Sequence, residues 1–62
     1  MVNRYTVTIE TRGVAFDDAP EFEVARIVRA MADRLESSGF LPVPRDTNGN
    51  VCGSSSFETL ND

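Results

Sequence analysis

Residues 41–57 read LPVPRDTNGNVCGSSSF, and whether this stretch is strand, turn and strand decides the fold. Asp46, Asn48 and Asn50 stand at the first, third and fifth positions of a possible calcium loop. An EF-hand loop needs glycine at its sixth position and a bidentate Glu at its twelfth. Counted from Asp46, those positions hold Val51 and Phe57, and two prolines replace the entering helix. The alternative is a β-hairpin. Asn48-Gly49 is the dipeptide that supplies two positive-φ residues to a type I′ turn, and it lies between two extended runs.

Two registers compete. A two-residue loop pairs Thr47 with Asn50 and asks no donor of Pro42 or Pro44 towards the partner strand, but it sets Val43 and Val51 on opposite faces. A three-residue loop with Gly49 as a bulge aligns Val43, Val51 and Phe57, yet asks Pro44 for a hydrogen bond it cannot donate. The expectation is the type I′ turn, with Gly53 as a bulge that restores the face further along.

Before the hairpin, residues 3–11 alternate. Tyr5, Val7 and Ile9 point one way while Thr6, Thr8 and Glu10 point the other, the pattern of a half-buried strand. Val24, Ile27, Val28, Met31 and Leu35 then recur at three- and four-residue steps, which predicts an amphipathic helix over 19–38. Asp18 is the expected N-cap, with Glu21 its reciprocal partner and Pro20 in the first turn. Gly39 suits the left-handed position that ends a helix, with Phe40 folding back onto Leu35. Residues 58–62 read as a loose end.

Strand, helix, strand, strand predicts a single α+β domain of β-α-β-β order. The prolines confine the 41–45 strand to an edge, so the sheet is expected to have three mostly antiparallel strands in the order 1-3-2. The helix covers the Tyr5, Val7, Ile9 face, and the face with Thr6, Thr8, Ser54 and Ser56 is left polar and open.

Composition narrows the function. Sixty-two residues bury a modest core, and one cysteine with no histidine supplies neither an internal disulfide nor the common zinc ligand sets. Self-association is the expected remedy. Ten carboxylates against six basic residues give a net charge of −4, which argues against binding nucleic-acid phosphates. All six basic residues are Arg, a mark either of codon usage or of selection at interfaces. No stretch reads as a membrane span or signal peptide, and the single cysteine fits a reducing cytoplasm.

Candidate chemistry is sparse. Serines 54–56 have no histidine to activate them and the chain has no lysine for a phosphate loop. Cys52 would need a cation such as Arg45 beside it to be reactive. Asp17 with Asp18 would make an acid–base pair only if capping did not use Asp18. No cofactor or metal is expected, and the chain reads as no enzyme. Phe22 falls opposite the apolar stripe. It either packs on Phe16 or Val14, or is an exposed anchor which, with Arg26, Arg29 and Asp33, forms a partner-binding helix face. Strand 1, with Thr6, Thr8 and Glu10, is a candidate dimer surface as a free edge.

YTVTIETRGVAF (5–16), PEFEVARIVRAMADRLESSG (20–39) and RDTNGNVCGSSSFE (45–58) together resemble a group of small proteins encoded in bacteriophage and prophage genomes. Those share a strand, an amphipathic helix and a D-x-N-G-N-x-x-G hairpin. Cys52 and the triple serine are particular to this chain. The resemblance carries over no catalytic residue. It implies an accessory protein in the bacterial cytoplasm that binds a host protein and redirects it or blunts a defence. A homodimeric self-assembly module is the alternative.

Overall fold

A computed structural model describes residues 1–61. β1 (Val2–Ile9) leads through a 3-10 turn at Val14–Phe16 into α1 (Pro20–Ser38), and β2 (Gly53–Leu60) closes the chain. The two strands are antiparallel neighbours over their full length, from Val2 opposite Leu60 to Ile9 opposite Gly53. Glu58, Thr59 and Leu60 are therefore strand and not a loose end. Of that expected end, Asp62 lies outside the described residues.

The sheet has two strands, not three. Residues 41–45 form no strand and contribute only a bridge from Arg45 to Val51. The reason lies in proline chemistry. The Cys52 N–H donates to the Pro44 carbonyl at 3.0 Å, but Pro44 has no N–H to return and Pro42 repeats the gap two residues earlier. A ladder that loses every second donor does not propagate.

The turn is also corrected. Asp46 N–H donates to the Asn50 carbonyl and Gly49 N–H to the Asp46 carbonyl, both at 2.9 Å. That is a three-residue loop. Gly49 has φ +82° and no non-glycine residue among the described residues has positive φ, so Asn48 is not left-handed and the turn is not type I′. Asp46 explains the choice. Its Oδ1 accepts the N–H groups of Asn48 (2.9 Å) and Asn50 (3.0 Å), which fixes the chain in a tight right-handed turn with glycine left for the bulge. The missing Pro44 donor does not forbid this register, because the Cys52 carbonyl accepts the N–H of Glu10, the residue after β1, instead, at 2.7 Å.

α1 starts one residue later than expected, with Ala19 as N-cap and no side-chain cap. Asp18 does not cap. The residue before proline is barred from the helical region, and Ala19 is accordingly held at φ −145°, ψ 78°. The cap position therefore falls at 19. The other end follows expectation: Gly39 is left-handed at φ 74°, and its N–H reaches the Leu35 carbonyl at 2.8 Å. Phe40, just beyond it, stays exposed.

Phe16, Ile27 and Met31 form the buried core, with Ile9, Ala15, Val24, Leu41 and Cys52 packed around it. Of the expected covered face of β1, only Ile9 reaches this cluster. Tyr5 and Val7 remain largely exposed, because the ribbon runs on past the helix. The molecule measures 43 × 22 × 17 Å with a radius of gyration of 12.9 Å, against about 11 Å for a compact chain of this length. No helix among the described residues is long and apolar enough to cross a membrane.

Candidate functional site

The projecting ribbon carries one candidate surface. Tyr5 faces Phe57 across the two strands, with ring centroids 4.8 Å apart and planes inclined by 43°. Ile9 and Gly53 are opposed with the Glu10-to-Cys52 bond just beyond them. That bond marks Ile9/Gly53 as a pair without mutual hydrogen bonds, and strict alternation makes Tyr5/Phe57 another. Such pairs bring side chains closest, which is why the two rings touch. Yet Tyr5 is 52% exposed and Phe57 53%. Beside them Phe40 and Leu41 complete a cleft of about 360 Å³ floored by Ser55 and Ser56.

The opposite ribbon face is polar. Thr6 faces Ser56, Thr8 faces Ser54 and Arg4 faces Glu58, the last pair 4.0 Å apart and well exposed. Thr6 and Thr8 thus lie on this face, and their backbone groups bond inward to β2. Glu10 lies just past β1, its N–H used by Cys52 and its carboxylate held by Arg12 at 2.9 Å.

On α1, Phe22, Arg26, Arg29 and Asp33 share a stripe at four-, three- and four-residue steps and are all exposed. Phe22 is 73% exposed and Val14 75%, so Phe22 is not packed away against Val14 or Phe16. Arg26 has a structural task. It grips both carboxylate oxygens of Glu23 at 2.9 Å and reaches the Arg45 carbonyl at 3.3 Å. Glu23 in turn accepts the Thr47 N–H at 2.7 Å. Helix and hairpin loop are clamped by this pair. The Arg26 hydrogen bond holds the Glu23 carboxyl below its ordinary range, and Glu23 raises Arg26. Among the described residues, Arg29 and Asp33 make no such side-chain bond and Phe22 stays exposed.

The hairpin residues are committed to structure. Asp46 is 6% exposed, and the oxygen that a calcium loop would offer to the ion accepts the loop's own N–H groups. A hollow of about 540 Å³ between loop and ribbon is bordered by Glu10, Arg12, Asp46, Asn50, Cys52 and Ser54. Burial, then the negative charges of Asp46 and Glu23, push the Cys52 thiol up and away from reactivity. Arg45 does not activate it, donating instead to the Gly49 carbonyl at 3.0 Å. Among the described residues no group of three metal-ligating side chains converges.

Sequence reasoning missed Tyr5 and Phe57 as surface residues by assigning the Tyr5 face to the helix. No local signal separated them, since alternation shows that Tyr5, Val7 and Ile9 share a face but not how far the helix reaches over it. No family model, curated protein or solved structure matches the chain.

Proposed function

We propose that this chain is a non-enzymatic binding module, an accessory protein of phage or prophage type that acts in a bacterial host by docking onto a host protein. The observation that carries this reading is the exposed aromatic pair Tyr5–Phe57. It is flanked by Phe40 and lies on a ribbon that the core does not cover. Tyrosine is among the side chains most enriched at binding hot spots, and aromatic residues as a class are enriched at interfaces. The helix stripe of Phe22, Arg29 and Asp33 is a second exposed surface, on a different element.

Affinity capture from bacterial lysate tests the reading and separates the two surfaces. One stoichiometric host protein, retained by Phe22→Ala/Arg29→Ala and lost with Tyr5→Ala/Phe57→Ala, supports docking through the ribbon. Loss with the helix variant alone moves the surface to α1. Recovery of nothing but the chain itself overturns host binding. Self-assembly is the second reading, and the unpaired edge of β1 favours it.

A further inference from the structure

We infer that two copies of this chain associate through the open edge of β1, antiparallel about a two-fold axis at Thr6, into a four-stranded sheet ordered β2-β1-β1-β2. The inference rests on the binding-module reading and adds that the binding surface is completed by a second copy.

The two ribbon edges are not alike. The outer side of β2 is flanked by residues 40–45, where Pro44 sits on Cys52 and Phe40 and Leu41 approach Ser55 and Phe57. β1 has no second neighbour among the described residues. The usual protections against edge pairing are proline, a bulge, lysines or very short length. The eight residues VNRYTVTI contain none of these and only one charge, Arg4. Five of the eight are β-branched, so the strand is well suited to hold a neighbour on its free side.

Parity fixes the register. Thr8 and Thr6 bond inward to β2, so Asn3, Tyr5, Val7 and Ile9 turn their N–H and C=O groups outward. A two-fold axis at Thr6 is the placement that pairs all four with a second copy, Asn3 with Ile9 and Tyr5 with Val7. Thr6 then meets Thr6, Arg4 meets Thr8, and no two like charges oppose each other in a chain of net charge −4. The two Tyr5–Phe57 pairs come onto one face, and the helical bodies lie about 20 Å apart along the strands.

Exposed area supports the same partner. A folded chain of 6.8 kDa is expected to expose about 4,000 Å², and this one exposes 4579 Å². The surplus of roughly 600 Å² approaches what one partner contributes to a standard interface. A lone two-stranded ribbon is itself marginal in water, whereas four strands are self-sufficient.

Light scattering and cysteine trapping test this. At high micromolar concentration the wild-type chain should show twice its own mass. Val7→Pro, which removes an outward N–H and spares the bonds to β2, should return one mass with its helical signal intact. In a Cys52→Ser background Thr6→Cys should oxidise to a linked pair, since unbonded opposed residues lie about 4.5 Å apart, within disulfide reach. Thr8→Cys, opposite Arg4, should not. The trapping result stands alone if Val7→Pro fails to fold. A single mass for the wild type, a double mass that survives in folded Val7→Pro, or linkage at Thr8 and not Thr6 overturns the dimer. A monomer that still captures a host protein through Tyr5 overturns only the dimer. A trapped dimer that captures nothing overturns only host docking.

Discussion

The Cys52 carbonyl accepts its hydrogen bond from Glu10, just past the end of β1, although the residue opposite it in the hairpin is Pro44. One acceptor thereby ties the loop to the ribbon, at the position where the hairpin ladder has run out of donors. Glu10→Pro removes this donor and should cost about 1–3 kcal/mol, the penalty of a polar group left unpaired. Glu10→Ala keeps the backbone bond and loses only an exposed ion pair, so it should stay within about 0.5 kcal/mol of wild type. Urea unfolding of the two variants makes the comparison, and equal midpoints would remove the Cys52 carbonyl from the account.

Asp46→Ala should destabilise the hairpin loop. It leaves the Asn48 and Asn50 N–H groups without their acceptor at a part-buried site, a loss of about 1 kcal/mol, at the lower end of the penalty for an unpaired donor. Gly49→Ala forces a side chain to φ +82° and should cost about 1–2 kcal/mol. Gly49→Asn should cost less, because asparagine tolerates that conformation. If alanine and asparagine are equally tolerated at 49, the left-handed bulge is wrong.

The Glu23–Arg26 clamp gives a pH dependence of definite sign. Glu23 has its pKa lowered from the ordinary 4.5, through the Arg26 hydrogen bond first and the Thr47 N–H after it. A depressed carboxyl contributes stability above its unfolded pKa and loses it as pH falls through the folded one. The Thr47 amide resonance should therefore hold steady near neutrality and move only below pH 4.5, as the carboxylate takes up its proton. In Glu23→Gln the acid-linked movement should vanish. A Thr47 titration centred above 4.5 would contradict the clamp.

Cys52 should be a slow thiol. Its pKa is raised from 9.0 by burial, and then by the nearby negative charges. At mildly alkaline pH the folded chain should react with iodoacetamide more slowly than the same chain in urea, where the ordinary thiol is restored. Equal rates would mean that Cys52 is not held against Phe16 and its neighbours.

The helix was legible because stripe, proline and closing glycine are local signals that agree. The Asp18 cap was the local error, and the information against it was present: Pro20 bars Ala19 from the helix. The third strand depended on treating Pro42 and Pro44 as edge residues that still pair. Bond by bond, Cys52 can give Pro44 one hydrogen bond and receive none. The turn type turned on the Asp46 side chain, which competes with the Asn-Gly preference and prevails because it satisfies two N–H groups at once. How far the helix reaches over β1 is a question of tertiary geometry. Alternation shows that Tyr5, Val7 and Ile9 share a face, but not that only Ile9 finds Ile27 and Met31 beneath it.

Core and ribbon should answer differently to truncation. Ile27 is almost completely buried in a core of three residues. Ile27→Ala should cost about 2–5 kcal/mol, enough to unfold a chain whose total stability sits at the low end for domains. Tyr5→Ala removes an exposed ring whose cross-strand contact is worth about 0.5–1.5 kcal/mol, so the fold should survive with a lowered melting point. Its effect on docking should be larger than its effect on folding, about 2 kcal/mol or roughly thirty-fold in Kd for a hot-spot aromatic. Calorimetric melting and titration against the captured partner measure the two numbers on one protein. If Tyr5→Ala lowers stability more than affinity, the ring belongs to the scaffold and the docking surface lies elsewhere, with Phe22 on α1 the next residue to test.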